Sequence, residues 1–266
     1  MRRVAINLPT GVRSALRLTL AGLALAAAGA CAHGDPRDLE AAWGDAMKAK
    51  DLTAIGQLLE AGADPAWTAT GGRTALMFAA EGGDLGLVEQ LLEAGASVEA
   101  MNQYRGNALM FAAKGGDVPV TRRLIAAGAD VNHVADLGWT ALLVAAAKGN
   151  ADVSLALIEA GANPNAQDKN GWTPLMHAVS GRHLATAAAL LEVPAVDPDL
   201  REENGSTALH IAALGGNEPM VRLLVDHGAD VAAKTAMGFT PAEVADAARH
   251  PALAAWLESA AASRTP

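Results

Sequence analysis

The chain has 266 residues, of which 51% are apolar and only 3% aromatic, and it carries a formal charge of −9. Nucleic acid is excluded as the expected partner, because phosphate contacts need a surplus of Lys and Arg. An Ala-rich, aromatic-poor composition suits thin helical layers in close approach better than a thick globular core. Cys31 is the single cysteine, so a disulfide within the chain is impossible.

The first element in chain order lies outside the rest of the pattern. Arg2, Arg3, Arg13 and Arg17 come with no acidic residue and lead into the apolar run Leu18–Ala28. A positive start, a short apolar stretch and small residues at the end describe an export signal. The run is 11 residues long, whereas a membrane span needs roughly 20. Ala28-Gly29-Ala30-Cys31 resembles a bacterial lipoprotein signal box, although Ala28 stands where Leu is usual. The resemblance implies a lipidated Cys31 as the new amino terminus. Plain cleavage at Ala28-Gly29-Ala30 or Ala30-Cys31-Ala32 is the alternative. Loss of residues 1–30 removes four Arg and no acid, leaving a charge of −13. Such a surface steers basic partners toward it and also favours solubility. Residues 31–37 read as a tether.

From there one pattern repeats. Thr-Ala-Leu or Thr-Pro-Leu begins at Thr74, Thr140, Thr173 and Thr207, with Asn107-Ala-Leu and Thr240-Pro-Ala as the variant copies, at intervals of 33, 33, 33, 34 and 33 residues. A period this regular means stacked copies of one small unit. The repeated Thr, or Asn107, predicts a helix N-cap. Pro174 and Pro241 follow at the first helical position, where no N–H is needed. A short Ala-rich helix and a Gly-containing turn lead to a second helix, whose end carries apolar pairs such as Leu58-Leu59, Leu91-Leu92 and Leu224-Val225. Gly62, Gly95, Gly128, Gly161 and Gly228 then offer the left-handed conformation that closes a helix.

Gly72-Arg-Thr-Ala-Leu-Met-Phe-Ala-Ala-Glu-Gly-Gly83 and Gly205-Ser-Thr-Ala-Leu-His-Ile-Ala-Ala-Leu-Gly-Gly216 are the copies through which the chain resembles the ankyrin-repeat family. The expected fold is an all-α repeat solenoid of about seven helix-turn-helix units with short hairpin or loop fingers. The units fall at 38–67, 68–100, 101–133, 134–166, 167–200, 201–233 and 234–258, followed by a loose tail at 259–266. Trp43 stands where Leu76 stands one copy later. Pro194 replaces the helix-closing Gly and Arg182 replaces the Gly of the inter-helix turn, so one copy is irregular, either as a functional bulge or by drift.

The resemblance implies that partner contacts lie on the fingers and along the first helices. The position before the cap reads Arg73, Gly106, Trp139, Trp172, Ser206 and Phe239. Trp139 and Trp172, one repeat apart, are expected side by side as an apolar patch that Tyr104 extends. The alternative is that each indole packs over its own hairpin. Arg73 and Phe239 complete the candidate surface, and Glu81 and Lys114 are placed to pair between adjacent units. Met77, Met110 and Met176, with Leu143 and His210 in the same row, read as packing rather than as metal ligands.

No nucleophile elbow, metalloprotease helix or phosphate loop is present in the sequence. A non-enzyme without cofactor or metal is therefore expected. The leading reading is an exported, lipid-anchored, monomeric array that binds a protein in a bacterial periplasm, at the outer membrane or otherwise soluble or secreted. It would act as an immunity-type inhibitor or as a scaffold for an envelope enzyme. A carbohydrate- or envelope-binding module using the surface Trp residues, and an enzyme with an unrecognised site, are the alternatives.

Overall fold

The computed structural model describes residues 36–264, so the export segment and Cys31 lie outside the described residues. The chain divides into two compact units, residues 1–64 and 65–266. Fourteen helices are found among the described residues. None of them is long and apolar enough to cross a membrane.

The first unit contains α1 (Pro36–Ala49) and α2 (Leu52–Glu60). Helix α1 begins inside the stretch expected as a tether, with Pro36 at its first position, where a missing N–H costs nothing. Lys50 turns the chain at φ +54. The Asp51 carboxylate then accepts the Ala54 N–H at 3.0 Å and caps α2. Trp43, Met47 and Ile55 are buried.

The second unit repeats one design. A finger formed by β1 (Thr68–Ala69) and β2 (Arg73–Thr74), paired antiparallel, precedes α3 (Ala75–Gly82) and α4 (Leu85–Glu93). Four more pairs follow: α5 (Ala108–Gly115) with α6 (Val118–Ala126), α7 (Ala141–Lys148) with α8 (Ala151–Glu159), α9 (Pro174–Ser180) with α10 (Leu184–Leu191), and α11 (Ala208–Leu214) with α12 (Glu218–Asp226). The last pair is α13 (Pro241–Ala247) with α14 (Pro251–Arg264). The first helices of successive pairs stack on one another as one layer, and the second helices through α12 stack as another. Helices of seven to nine residues are marginal alone, so this stacking is what holds them.

The caps follow the repeated residue. Thr74, Thr140 and Thr173 each accept an N–H from three residues on, at 3.2–3.3 Å, and Asn107 does the same through its side-chain oxygen at 3.2 Å. At Thr240 the bond is reciprocated by Glu243, which accepts the Thr240 N–H at 2.7 Å. Behind the caps, Leu76, Met77, Leu109, Leu142, Leu143, Leu175 and Leu209 form the core row.

Three details depart from the regular repeat or from the sequence expectation, and the different helix end at Pro194 is the one its sequence predicts. Arg182 takes φ +59 where its counterparts are glycines at φ +72 (Gly83) and +78 (Gly149), so the turn is kept and the cost of a left-handed side chain is carried. Pro194 cannot take the φ of +91 to +95 found at Gly161 and Gly228, and α10 ends at Leu191 with Val193 N–H bonded to the Leu190 carbonyl. The segment expected as a loose tail from Ser259 continues α14 to Arg264. Ala260, Ala261 and Ala262 are strong helix formers, and nothing in the segment breaks the helix.

Candidate functional site

The fingers are tied to each other by one recurring backbone bond. The N–H of Gln103 reaches the Gly71 carbonyl at 2.9 Å, Asp136 reaches Tyr104 at 3.1 Å, and Lys169 reaches Leu137 at 2.9 Å. Glu203 then reaches Asn170 at 3.1 Å and Ala236 reaches Asn204 at 2.9 Å. Side chains hold each finger in shape: Asn102 accepts the N–H groups of Tyr104 and Gly106, and Asp168 accepts those of Asn170 and Trp172. The finger surface is therefore a rigid ladder, and the residue before each cap hangs from it over the first-helix layer.

What fills the space below differs from copy to copy. Under the first complete finger, the Arg73 guanidinium lies 3.9 Å from the Phe78 ring centroid and 4.4 Å from that of Phe111. It also donates to Glu81, which receives the Lys114 ammonium at 2.6 Å. Burial opposes ionisation of Glu81, but the bonds from Lys114 and Arg73 outweigh it and hold the carboxyl below its usual range. Arg73 and Glu81 are thus engaged between two repeats, with their side chains still 22% and 20% exposed.

Trp139 and Trp172 occupy the same position in adjacent repeats and both pack on the ring of His177, which is 4.7 Å from Trp139 and 5.2 Å from Trp172. Its Nε2 is 3.1 Å from Oδ2 of Asp168, which is only 8% exposed. Burial pushes His177 below the ordinary histidine value, against the opposing pull of Asp168. Both indoles are half-buried.

Between these two filled places lies an open one. A cavity of about 480 Å³ is lined by Tyr104, Met110, Phe111, Leu137, Trp139 and Val144, with Asn102, Gly106, Lys114, Ala135 and Asp136 completing it. Tyr104 is 63% and Leu137 55% exposed, so the rim is apolar and open to solvent. A smaller cavity of about 250 Å³ on the other side of Trp139 is shared by Asp168, Lys169, Asn170, Trp172 and His177. Phe239 is exposed on the last finger, away from both cavities; its carbonyl binds the His210 Nε2–H at 3.0 Å.

Sequence reasoning missed His177, Asp168 and the cavity at Gly106. The signal was present in the register. Position 177 is apolar in the copies carrying Phe78, Phe111 and Val144, and Gly106 is the residue without a side chain in a row of larger ones. Among the described residues, no group of His, Cys, Asp or Glu is arranged to hold a metal ion.

The chain resembles segments of functionally diverse proteins. It is 51% identical over 45 residues to delta-latroinsectotoxin-Lt1a of Latrodectus tredecimguttatus, covering 17% of this chain and 4% of the toxin. It is 51% identical over 47 residues to the potassium channel AKT3 of Oryza sativa subsp. japonica, covering 18% and 5%. It is 39% identical over 69 residues to protein phosphatase 1 regulatory subunit 27 of Mus musculus, covering 26% and 45%. The matches thus span less than half the length of these relatives. The family model for ankyrin repeats matches in three copies, at residues 44–135, 109–201 and 187–263. With its register, caps and stacked helix pairs on the same period, the chain belongs to the ankyrin-repeat family.

Proposed function

We propose that this protein binds another protein through the finger ladder and first-helix layer around Trp139, and that it does so in the bacterial envelope as an exported protein anchored through a lipidated Cys31. Membership in the ankyrin-repeat family gives the chain a protein-interaction role. The single observation that carries the location is the apolar cavity beside Trp139, rimmed by exposed Tyr104 and Leu137 on a rigid scaffold. Rigid aromatic anchors around a pocket are what binding hot spots are made of. The likeness to a phosphatase regulatory subunit supports a partner that is itself an enzyme, restrained or supported by the array. The export reading rests on the four arginines, the short apolar run and the small residues before Cys31.

Isolation of the full chain from native envelope tests both parts at once. The expected result is one stoichiometric protein partner and a bait whose amino terminus is an acylated Cys31. An unmodified chain beginning at His33 would contradict the anchor. Retention on glycans with no protein partner would contradict the binding role.

A further inference from the structure

The cavity beside Trp139 has a specific cause, and the neighbouring copies show what fits it. In three copies the side chain before the cap packs on the ring position of its own repeat, of the next, or of both. Arg73 does this between Phe78 and Phe111. Trp139 reaches His177 of the following repeat, and Trp172 covers the same ring from its own repeat. At Gly106 the equivalent space lies between Phe111 and Val144, and glycine supplies nothing to fill it. Both residues line the cavity. Met110 shows the consequence: its counterparts Met77, Leu143 and Met176 are at most 1% exposed, whereas Met110 is only half-buried.

We infer that this cavity is a socket for one uncharged aromatic side chain projected by the protein partner; the inference rests on the binding role proposed above and specifies its chemistry. The slot is flat and apolar, of the kind that holds an indole or a guanidinium in the adjacent copies. Charge decides between the two. Arg73 finds its carboxylate at Glu81, eight residues on, but the residue eight after Gly106 is Lys114. Lys114 is itself committed to Glu81 at 2.6 Å, and the carboxylate on the lining, Asp136, is exposed at the rim. A guanidinium in the Gly106 slot would therefore find no sheltered carboxylate of the kind that receives Arg73, and it would lose hydration against apolar walls. An aromatic ring keeps the stacking and avoids that loss. Asp136 offers an acceptor to an indole N–H or a phenol O–H.

The socket is read directly with small probes on the full chain carrying ¹³C-methyl methionine. N-acetyltryptophanamide should shift the Met110 methyl resonance saturably, and N-acetylargininamide should bind at least tenfold more weakly. Lys114→Glu should narrow that preference. Gly106→Trp should abolish the response to the tryptophan probe while the remaining methyl spectrum stays folded. Backbone geometry permits the change, since a Cβ at Gly106 meets nothing closer than the Asn102 side chain at 3.4 Å. If Gly106→Trp fails to fold, Val144→Phe fills the slot from the facing helix and carries the same expectation. A silent Met110, equal binding of the two probes, or a filled variant that still responds would overturn the socket. The binding role is read separately: partner affinity that falls on truncating Tyr104 and Leu137 would keep that role even with a silent Met110.

Discussion

Two histidines separate what a residue type suggests from what its surroundings make of it. His210 sits in the row of Met77 and Leu143 and is 2% exposed. Its Nδ1 accepts the Thr207 N–H at 3.1 Å, and its Nε2 donates to the Phe239 carbonyl at 3.0 Å. Protonation of Nδ1 would put a donor against a donor, and burial already lowers the affinity of His210 and His177 for a proton. With the folded value below the unfolded one of about 6.5, the unfolded chain takes up the proton first. The stability due to these groups is therefore complete above that value and is lost as pH falls through it toward the folded one. Melting should occur at a lower temperature at pH 5.5 than at pH 7.5, with a smaller difference in His210→Leu. An unchanged difference in that variant would show that the buried cap is not what titrates. The role of His210 as a packing residue was legible from its register with Met77 and Leu143. The role of His177 was not, because its contacts with Trp139 and with Asp168, nine residues back, depend on how two fingers hang over one helix.

At the scale of elements, close approach outweighs local helix preference. Helix α5 passes so near α3 that a Cβ at Gly115 would lie 2.5 Å from the Glu81 carbonyl oxygen. By propensity alone Gly115→Ala would stabilise by up to about 1 kcal/mol. Overpacking of a tight contact costs roughly 1–3 kcal/mol, and the obstacle here is backbone that cannot swing aside. The variant should therefore lower the midpoint of chemical denaturation, and a raised midpoint would mean that the two helices separate freely. Helix starts were the most legible elements, since Thr74, Asn107, Thr140, Thr173 and Thr240 cap the helices that their spacing indicates. Helix ends were less so. Arg182 and Arg249 accept positive φ without being glycine, and α14 outruns the repeat because nothing stops it.

Across residues 65–266 the stacking repeats buy a rigid surface whose chemistry changes while its backbone does not. The cap position keeps the helices in register, and the residue before it varies from Arg73 through Gly106 to Trp139. The family and its stacking were legible in the period alone. The cavity was not, because it arises from the absence of one side chain between two walls contributed by different repeats. The most direct test of the binding role is the affinity of the isolated partner for Tyr104→Ala combined with Leu137→Asn, set against Arg122→Ala on α6. Asn tolerates the left-handed conformation that Leu137 adopts at φ +61, so the finger should keep its shape. The double variant should melt like the parent and bind at least tenfold more weakly, a loss of about 1.4 kcal/mol or more, while Arg122→Ala binds as the parent does. Full affinity in the folded double variant, or a loss confined to Arg122→Ala, would place the partner on another face and contradict the proposed site.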